Sequence, residues 1–64
     1  MTQKELLYYE DAIGHEGNII KIIEDSLNNL EDENLVQFME EELNIHKEIK
    51  EYLMNKLEEK VNGW

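Results

Sequence analysis

The sequence predicts an all-α protein, an antiparallel two-helix hairpin that dimerises into a four-helix bundle. Two long segments carry apolar residues at alternating steps of three and four, which is the period of a helix with one dry face. No proline interrupts either segment, and the acidic stretch 31–34 separates them. A chain of 64 residues is at most one small domain, so we expect a single helical-hairpin domain over residues 1–64.

The first helix is predicted over about residues 3–29. It begins after Thr2, which forms with Glu5 the Thr-x-x-Glu capping box that satisfies two amide donors at a helix start. The apolar stripe of this helix consists of Leu6, Tyr9, Ile13, Ile20, Ile23, Leu27 and Leu30. A turn follows at about residues 30–34, where acidic and asparagine side chains favour the start of another helix.

The second helix is predicted over about residues 35–61. Its apolar stripe consists of Leu35, Phe38, Met39, Ile45, Ile49, Tyr52, Leu53 and Leu57. Lys56 and Lys60 lie in the last turns, where cations suit the helix dipole, and Gly63 is expected to end the helix as a left-handed cap. The short turn makes the two helices antiparallel, so Tyr9 and Tyr52 are expected to meet across the hairpin as core.

Two helices form only half of a bundle, because a hairpin leaves part of both apolar stripes in water. The chain has no cysteine, so neither disulfides nor thiolate metal sites can add stability to so small a domain. Pairing two hairpins buries the stripes, and we therefore expect a homodimer or a higher homo-oligomer. Pairing with a different protein is the alternative.

The charge of the chain excludes two classes of partner. It has 16 acidic residues against 6 basic ones, for a formal net charge of −10. A nucleic-acid partner is not expected, because no basic patch exists, and an anionic membrane surface would repel the chain. No apolar stretch has the length of a membrane span or the pattern of a signal peptide, so a cytoplasmic location is expected.

Three ionisable residues occupy the centres of the two apolar stripes. At 100° per residue, Glu16 falls in the middle of the first stripe, and Glu42 and His46 fall in the middle of the second. In a hairpin that turns near residue 31, facing residues have numbers that sum to about 62, so Glu16 and His46 are expected to face each other. Glu42 lies one helical turn nearer the loop, on the same face as His46.

Two interpretations of these three residues are open. An unpaired buried carboxylate costs several kcal/mol, so these groups need partners, water or a cation. The first interpretation is a Glu–His hydrogen-bonded pair that fixes the helix register, or a loose bundle in which these groups reach water, and the second is a metal site. In the second interpretation Glu16, Glu42 and His46 are the ligands, and a symmetric dimer supplies four carboxylates and two histidines. Iron, manganese or zinc would suit such ligands. No nucleophile–base pair or phosphate-binding loop is present, so no catalytic residue is assigned and an enzyme is not expected.

Three further residues of the first helix lie close to Glu16. His15 points about 100° away from Glu16 and is interpreted as a histidine at the boundary of the apolar stripe. Gly14 and Gly17 lie on the back of the helix on either side of Glu16. They either permit the close approach of another subunit or soften the helix, since each costs about 1 kcal/mol relative to alanine.

The chain has a glutamate on one helix and a Glu/His pair on the next. In this pattern it resembles one half of the four-helix bundle of the ferritin-like superfamily. The superfamily motif is a glutamate followed by Glu-x-x-His, whereas this chain has Glu42-Leu-Asn-Ile-His46, one residue longer, with Leu43 in place of the motif glutamate. The resemblance implies a ferritin-like four-helix bundle for the dimer. The opening residues 1–16 look like those of short spore-coat-associated proteins of endospore-forming bacteria, relatives of the spore coat protein F family. That likeness implies assembly into the spore coat, with other coat proteins as partners.

Three functional hypotheses follow. The first is a small structural or assembly protein, a self-associating hairpin of the spore coat. The second is a di-metal carboxylate bundle that holds iron, manganese or zinc. The third is a helical interaction module whose open groove binds a helix of another protein. Oligomer mass separates the third hypothesis from the other two, and metal content separates the first from the second.

Overall fold

Two antiparallel helices account for nearly all of the described chain. A computed structural model describes residues 1–63, in which α1 spans Gln3–Leu27, α2 spans Glu33–Asn62 and no strand is present. The two helices pack along their length into a rod of 48 × 14 × 11 Å. The predicted all-helical hairpin is thereby confirmed, while the pairing of two hairpins stays a prediction. Trp64, which the sequence places beyond the second helix, lies outside the described residues.

The start of α1 is fixed by the predicted capping box. The Thr2 amide donates to Glu5 Oε1 at 3.1 Å, and the Glu5 amide donates to Thr2 Oγ1 at 3.1 Å. The hydrogen bond from the Thr2 backbone holds the pKa of the Glu5 carboxyl below its ordinary value, with a smaller contribution from the Thr2 hydroxyl. The helix therefore begins at Gln3, as predicted.

The turn between the helices is slightly displaced from its predicted position. α1 ends at Leu27 rather than near residue 29, and the Asn29 amide donates to the Ser26 carbonyl in the turn that follows. α2 begins at Glu33 because Asp32 caps it, with its carboxylate accepting from the amides of Asn34 at 2.9 Å and Leu35 at 3.1 Å. An acidic residue within the predicted turn thus starts the second helix about two residues early.

The end of α2 differs from its prediction in backbone conformation. Gly63 has φ −86° and ψ 0°, so the predicted left-handed cap is wrong. The Gly63 amide donates to the Glu59 carbonyl at 3.1 Å, which extends the helical hydrogen-bond pattern by one residue. A right-handed end of this kind needs no positive φ and therefore no glycine.

The core of the hairpin is thin. Ile23, at 6% exposure, is the only buried residue among residues 1–63. Ten large apolar side chains of the described residues are exposed, and they are Leu7, Tyr8, Ile22, Leu35, Phe38, Ile45, Ile49, Tyr52, Met54 and Val61. The hairpin therefore leaves most of its apolar side chains in contact with solvent.

The predicted Tyr9–Tyr52 core contact is wrong. Tyr52 is 61% exposed, and the Lys56 ammonium lies 5.6 Å from the centre of its ring. Tyr52 lies about 120° from His46 around the helix axis, so it points away from α1, and Leu53 takes the inward position instead. Leu53 is half-buried and lines a shallow pocket together with Tyr9.

Candidate functional site

The helix pairing brings the three predicted ionisable residues into one polar cluster, formed by Glu16, Glu42 and His46. His46 Nδ1 lies 2.5 Å from Glu16 Oε2, across the hairpin. His46 Nε2 lies 3.7 Å from Glu42 Oε2, one turn earlier on the same helix. Glu16 and His46 therefore face each other as expected. Their contact is the only side-chain hydrogen bond between the two helices within residues 1–63.

The polar cluster is partly buried, and each of its side chains remains in contact with water. The side chains of Glu16, His46 and Glu42 are 15%, 22% and 35% exposed, respectively. With its proton on Nδ1, the imidazole donates to Glu16 and leaves Nε2 facing Glu42. No buried side-chain nitrogen or oxygen in the described residues lacks a hydrogen-bond partner. The cluster therefore places polar groups within an apolar stripe without leaving a buried side-chain nitrogen or oxygen unsatisfied.

The three side chains do not surround a common point. The two nitrogens of the His46 ring point in different directions, and each faces a different carboxylate. Within residues 1–63, no group of three or more histidine, cysteine or acidic side chains is placed to hold a metal ion. Glu16 contacts Nδ1 of His46, whereas Glu42 faces Nε2. In a single chain, therefore, at most Glu42 and Nε2 of His46 could bind the same cation.

One side of the hairpin carries an exposed apolar surface that repeats every seven residues. We call it the heptad face, and it consists of Tyr8, His15 and Ile22 on α1 with Phe38, Ile45 and Tyr52 on α2. All six side chains are exposed, and Ile49, which lies between two of them, adds to the surface. Together with Ile49, this face therefore contains six of the ten large apolar side chains that are exposed within residues 1–63.

The opposite side carries a shorter apolar depression, which we call the Met54 groove. It has a volume of about 550 Å³ and an apolar floor that includes Ile13, Met54, Leu57 and Val61. Glu10 and Glu58 also line it. The groove is thus an apolar surface with an acidic margin.

His15 and the two helical glycines lie outside the polar cluster. His15 is exposed on the heptad face, in agreement with its interpretation as a boundary residue. A Cβ atom added at Gly14 would meet nothing within 4 Å, and one added at Gly17 would meet Lys50 Nζ at 3.7 Å. Neither glycine is therefore required by contacts within the single hairpin. The heptad face was not predicted from the sequence, although the seven-residue spacing of its members is visible there.

A scan against protein families and searches of curated proteins and solved structures found no match to the chain. The resemblances to the ferritin-like superfamily and to spore-coat proteins therefore stay predictions. Within residues 1–63, neither helix combines the length and the apolar character needed to cross a lipid bilayer.

Proposed function

We propose that the protein is a structural building block, a self-associating hairpin that pairs with a second copy to close a four-helix bundle. The supporting observation is the large apolar surface of the single chain. Soluble monomers rarely expose contiguous apolar patches of more than a few hundred Å², and larger patches mark association sites. Here six large apolar side chains lie on one face of a rod that buries only Ile23 among its described residues.

The polar cluster supports this proposal as a device for register. A hydrogen bond between Glu16 and His46 is satisfied at only one alignment of the two helices, whereas apolar contacts tolerate sliding. A fixed register keeps the members of the heptad face level with one another. Assembly into the spore coat, with other coat proteins as partners, is the setting that the resemblance adds to the proposal.

Sedimentation equilibrium of the untagged protein tests the proposal. We expect a dimer or larger species at micromolar concentration and a melting temperature that rises with concentration, because association stabilises the folded state. A monomer that unfolds cooperatively at a concentration-independent temperature would contradict self-association. That result would favour the remaining hypothesis, an interaction module that receives a helix of another protein.

A metal-binding bundle is the second candidate, and the supporting observation is the His46–Glu42 distance. Two bonds of about 2.1 Å to one cation can span the 3.7 Å between Nε2 and Oε2. The Glu16 carboxylate on Nδ1 would then orient the ring and increase its basicity, as carboxylates commonly do for metal-bound histidines. Two ligands in each chain would require a second copy to complete the coordination of iron, manganese or zinc.

Metal analysis of protein purified without an affinity tag tests this candidate. Bound metal in the wild type, lost in Glu42→Gln and weakened about 10–100-fold in Glu16→Gln, is the expected pattern if Glu42 is a ligand and Glu16 an orienting group. The matched control is Glu41→Gln, which changes an exposed neighbour. A wild type that takes up no zinc, iron or manganese would remove the metal-binding hypothesis.

A further inference from the structure

The members of the heptad face are arranged in three level rungs. Glu16 and His46, whose numbers sum to 62, meet across the hairpin, so residues whose numbers sum to 60 lie within about 3 Å of the same height. Tyr8 is therefore level with Tyr52, His15 with Ile45, and Ile22 with Phe38. Each rung is seven residues from the next, or about 10.5 Å along the rod. The middle rung of His15 and Ile45 divides the hairpin into a loop half and an open half.

The two halves differ strongly in charge. The loop half, residues 16–44, contains nine acidic residues and one lysine. The open half, residues 1–14 with 46–64, contains seven acidic residues and five lysines. Two of those lysines lie beside the open-end rung, with Lys4 Nζ 5.9 Å from the centre of the Tyr8 ring and Lys56 Nζ 5.6 Å from that of Tyr52.

From these features, and given the proposed self-association, we infer that two copies pair through their heptad faces in antiparallel orientation, with the twofold axis at the His15–Ile45 rung. Antiparallel pairing sets each acidic loop half against the lysine-bearing open half of the other copy. Parallel pairing would set the two loop halves against each other, where repulsion between like charges is greatest. Twofold rotation about the level of His15 also brings Lys4 within one residue of the height of Asp25 in the second copy.

The Met54 groove is the weaker candidate for the contact between copies. A symmetric contact presents the same surface from both chains, so Glu10 and Glu58 would meet the same carboxylates of the other copy. The groove also displays only Met54 and Val61 of the ten exposed large apolar side chains. Pairing through the heptad face covers six of them.

Single-cysteine cross-linking tests the orientation, because the natural chain has no cysteine. A residue on a twofold axis faces its own copy, and a disulfide forms only when the two Cα atoms lie within about 4.4–6.8 Å. We expect His15→Cys and Ile45→Cys each to form a covalent dimer on oxidation with copper phenanthroline. We also expect Tyr8→Cys mixed with Ile22→Cys to form a heterodimer. The control Ile13→Cys, in the Met54 groove, should stay uncoupled.

Three results would overturn the inference while leaving self-association intact. The first is a disulfide between His15→Cys and Ile45→Cys in a mixture, with neither variant coupling to itself, since that pattern indicates parallel pairing. The second is coupling of Ile13→Cys alone, which indicates pairing through the groove. The third is a dimer by sedimentation in which none of these variants couples. A monomeric wild type would instead overturn the proposed function, and with it this inference. Circular dichroism of each variant establishes that it keeps the helical fold.

Discussion

Glu16 and His46 meet across the hairpin at a level where both apolar stripes carry an ionisable side chain. Their meeting was predictable, because helical spacing and the position of the turn fix which residues face each other. Which carboxylate faces which ring nitrogen of His46 could not be predicted, because it depends on the rotamers of the side chains. The error at Tyr52 has a related cause. Matching heights place two residues at one level, but they do not establish that both point inward.

Replacing one member of the pair is expected to destabilise the hairpin more than replacing both. His46→Leu leaves the Glu16 carboxylate, only 15% exposed, without its partner and should lower the free energy of unfolding by about 1–3 kcal/mol. The double variant Glu16→Leu/His46→Leu should recover that loss or exceed the wild type by about 1–4 kcal/mol. Urea unfolding at one fixed protein concentration measures these differences. Glu51→Leu, at an exposed position, is the control, and equal losses in the single and double variants would contradict the expectation.

Acid is expected to weaken the start of α1. The folded state lowers the pKa of Glu5 below 4.5, so this contribution is complete above pH 4.5 and is lost as the pH falls through the lowered folded value. NMR titration of the Glu5 carboxyl in the wild type and in Thr2→Ala measures the effect. The titration midpoint should move up towards the ordinary value when the capping hydroxyl is removed. An unchanged midpoint would show that the Thr2 hydroxyl does not contribute.

At the scale of the helices, local chemistry determined how well each end was predicted. The start of α1 follows from a reciprocal capping box that can be identified in sequence. The start of α2 was less certain, because both Asp32 and Asn34 in the acidic stretch 31–34 have side chains that can cap a helix. Asp32 takes that role here, with its side chain accepting from the amides of Asn34 and Leu35.

Replacing Gly14 with alanine is expected to stabilise α1. The added methyl group meets nothing within 4 Å, so the variant gains about 1 kcal/mol in helix propensity without a steric cost. Thermal unfolding at a concentration where the wild type is associated measures the gain. Gly17→Ala, whose new Cβ makes only an ordinary contact with Lys50, should behave in the same way. A loss of association in Gly14→Ala would show that a second chain packs against this position.

At the scale of the whole molecule, net charge and apolar surface have opposite effects on self-association. Each copy carries a formal charge of −10, so two copies repel even in their most favourable orientation. The exposed apolar side chains supply the attraction, since burial contributes about 25 cal/mol for each Å² removed from water. The sequence predicted that association was needed, but the heptad face proposed to mediate it was identified only when the two helices were placed side by side.

Added salt is expected to strengthen self-association. The Debye length falls from about 30 Å at 0.01 M ionic strength to about 8 Å at 0.15 M, which screens repulsion between the copies while leaving apolar contacts in place. Sedimentation equilibrium across this range should show a decreasing dissociation constant. Ile45→Lys, which places a charge in the centre of the heptad face, should dissociate the oligomer at both salt concentrations. Association that weakens with salt would indicate that ion pairs, rather than apolar contacts, hold the copies together.

The burial of Ile23 alone among the described side chains has a consequence for the life of the chain in a cell. A hairpin without the proposed second copy would display the apolar surface that chaperones and proteases recognise, and its unfolded fraction would exceed that of the associated protein, because association stabilises the folded state. If the protein self-associates as proposed, the lifetime of each chain would depend on the local concentration of the same protein. Newly made copies would be cleared when scarce and protected once abundant, so the protein would accumulate with a threshold.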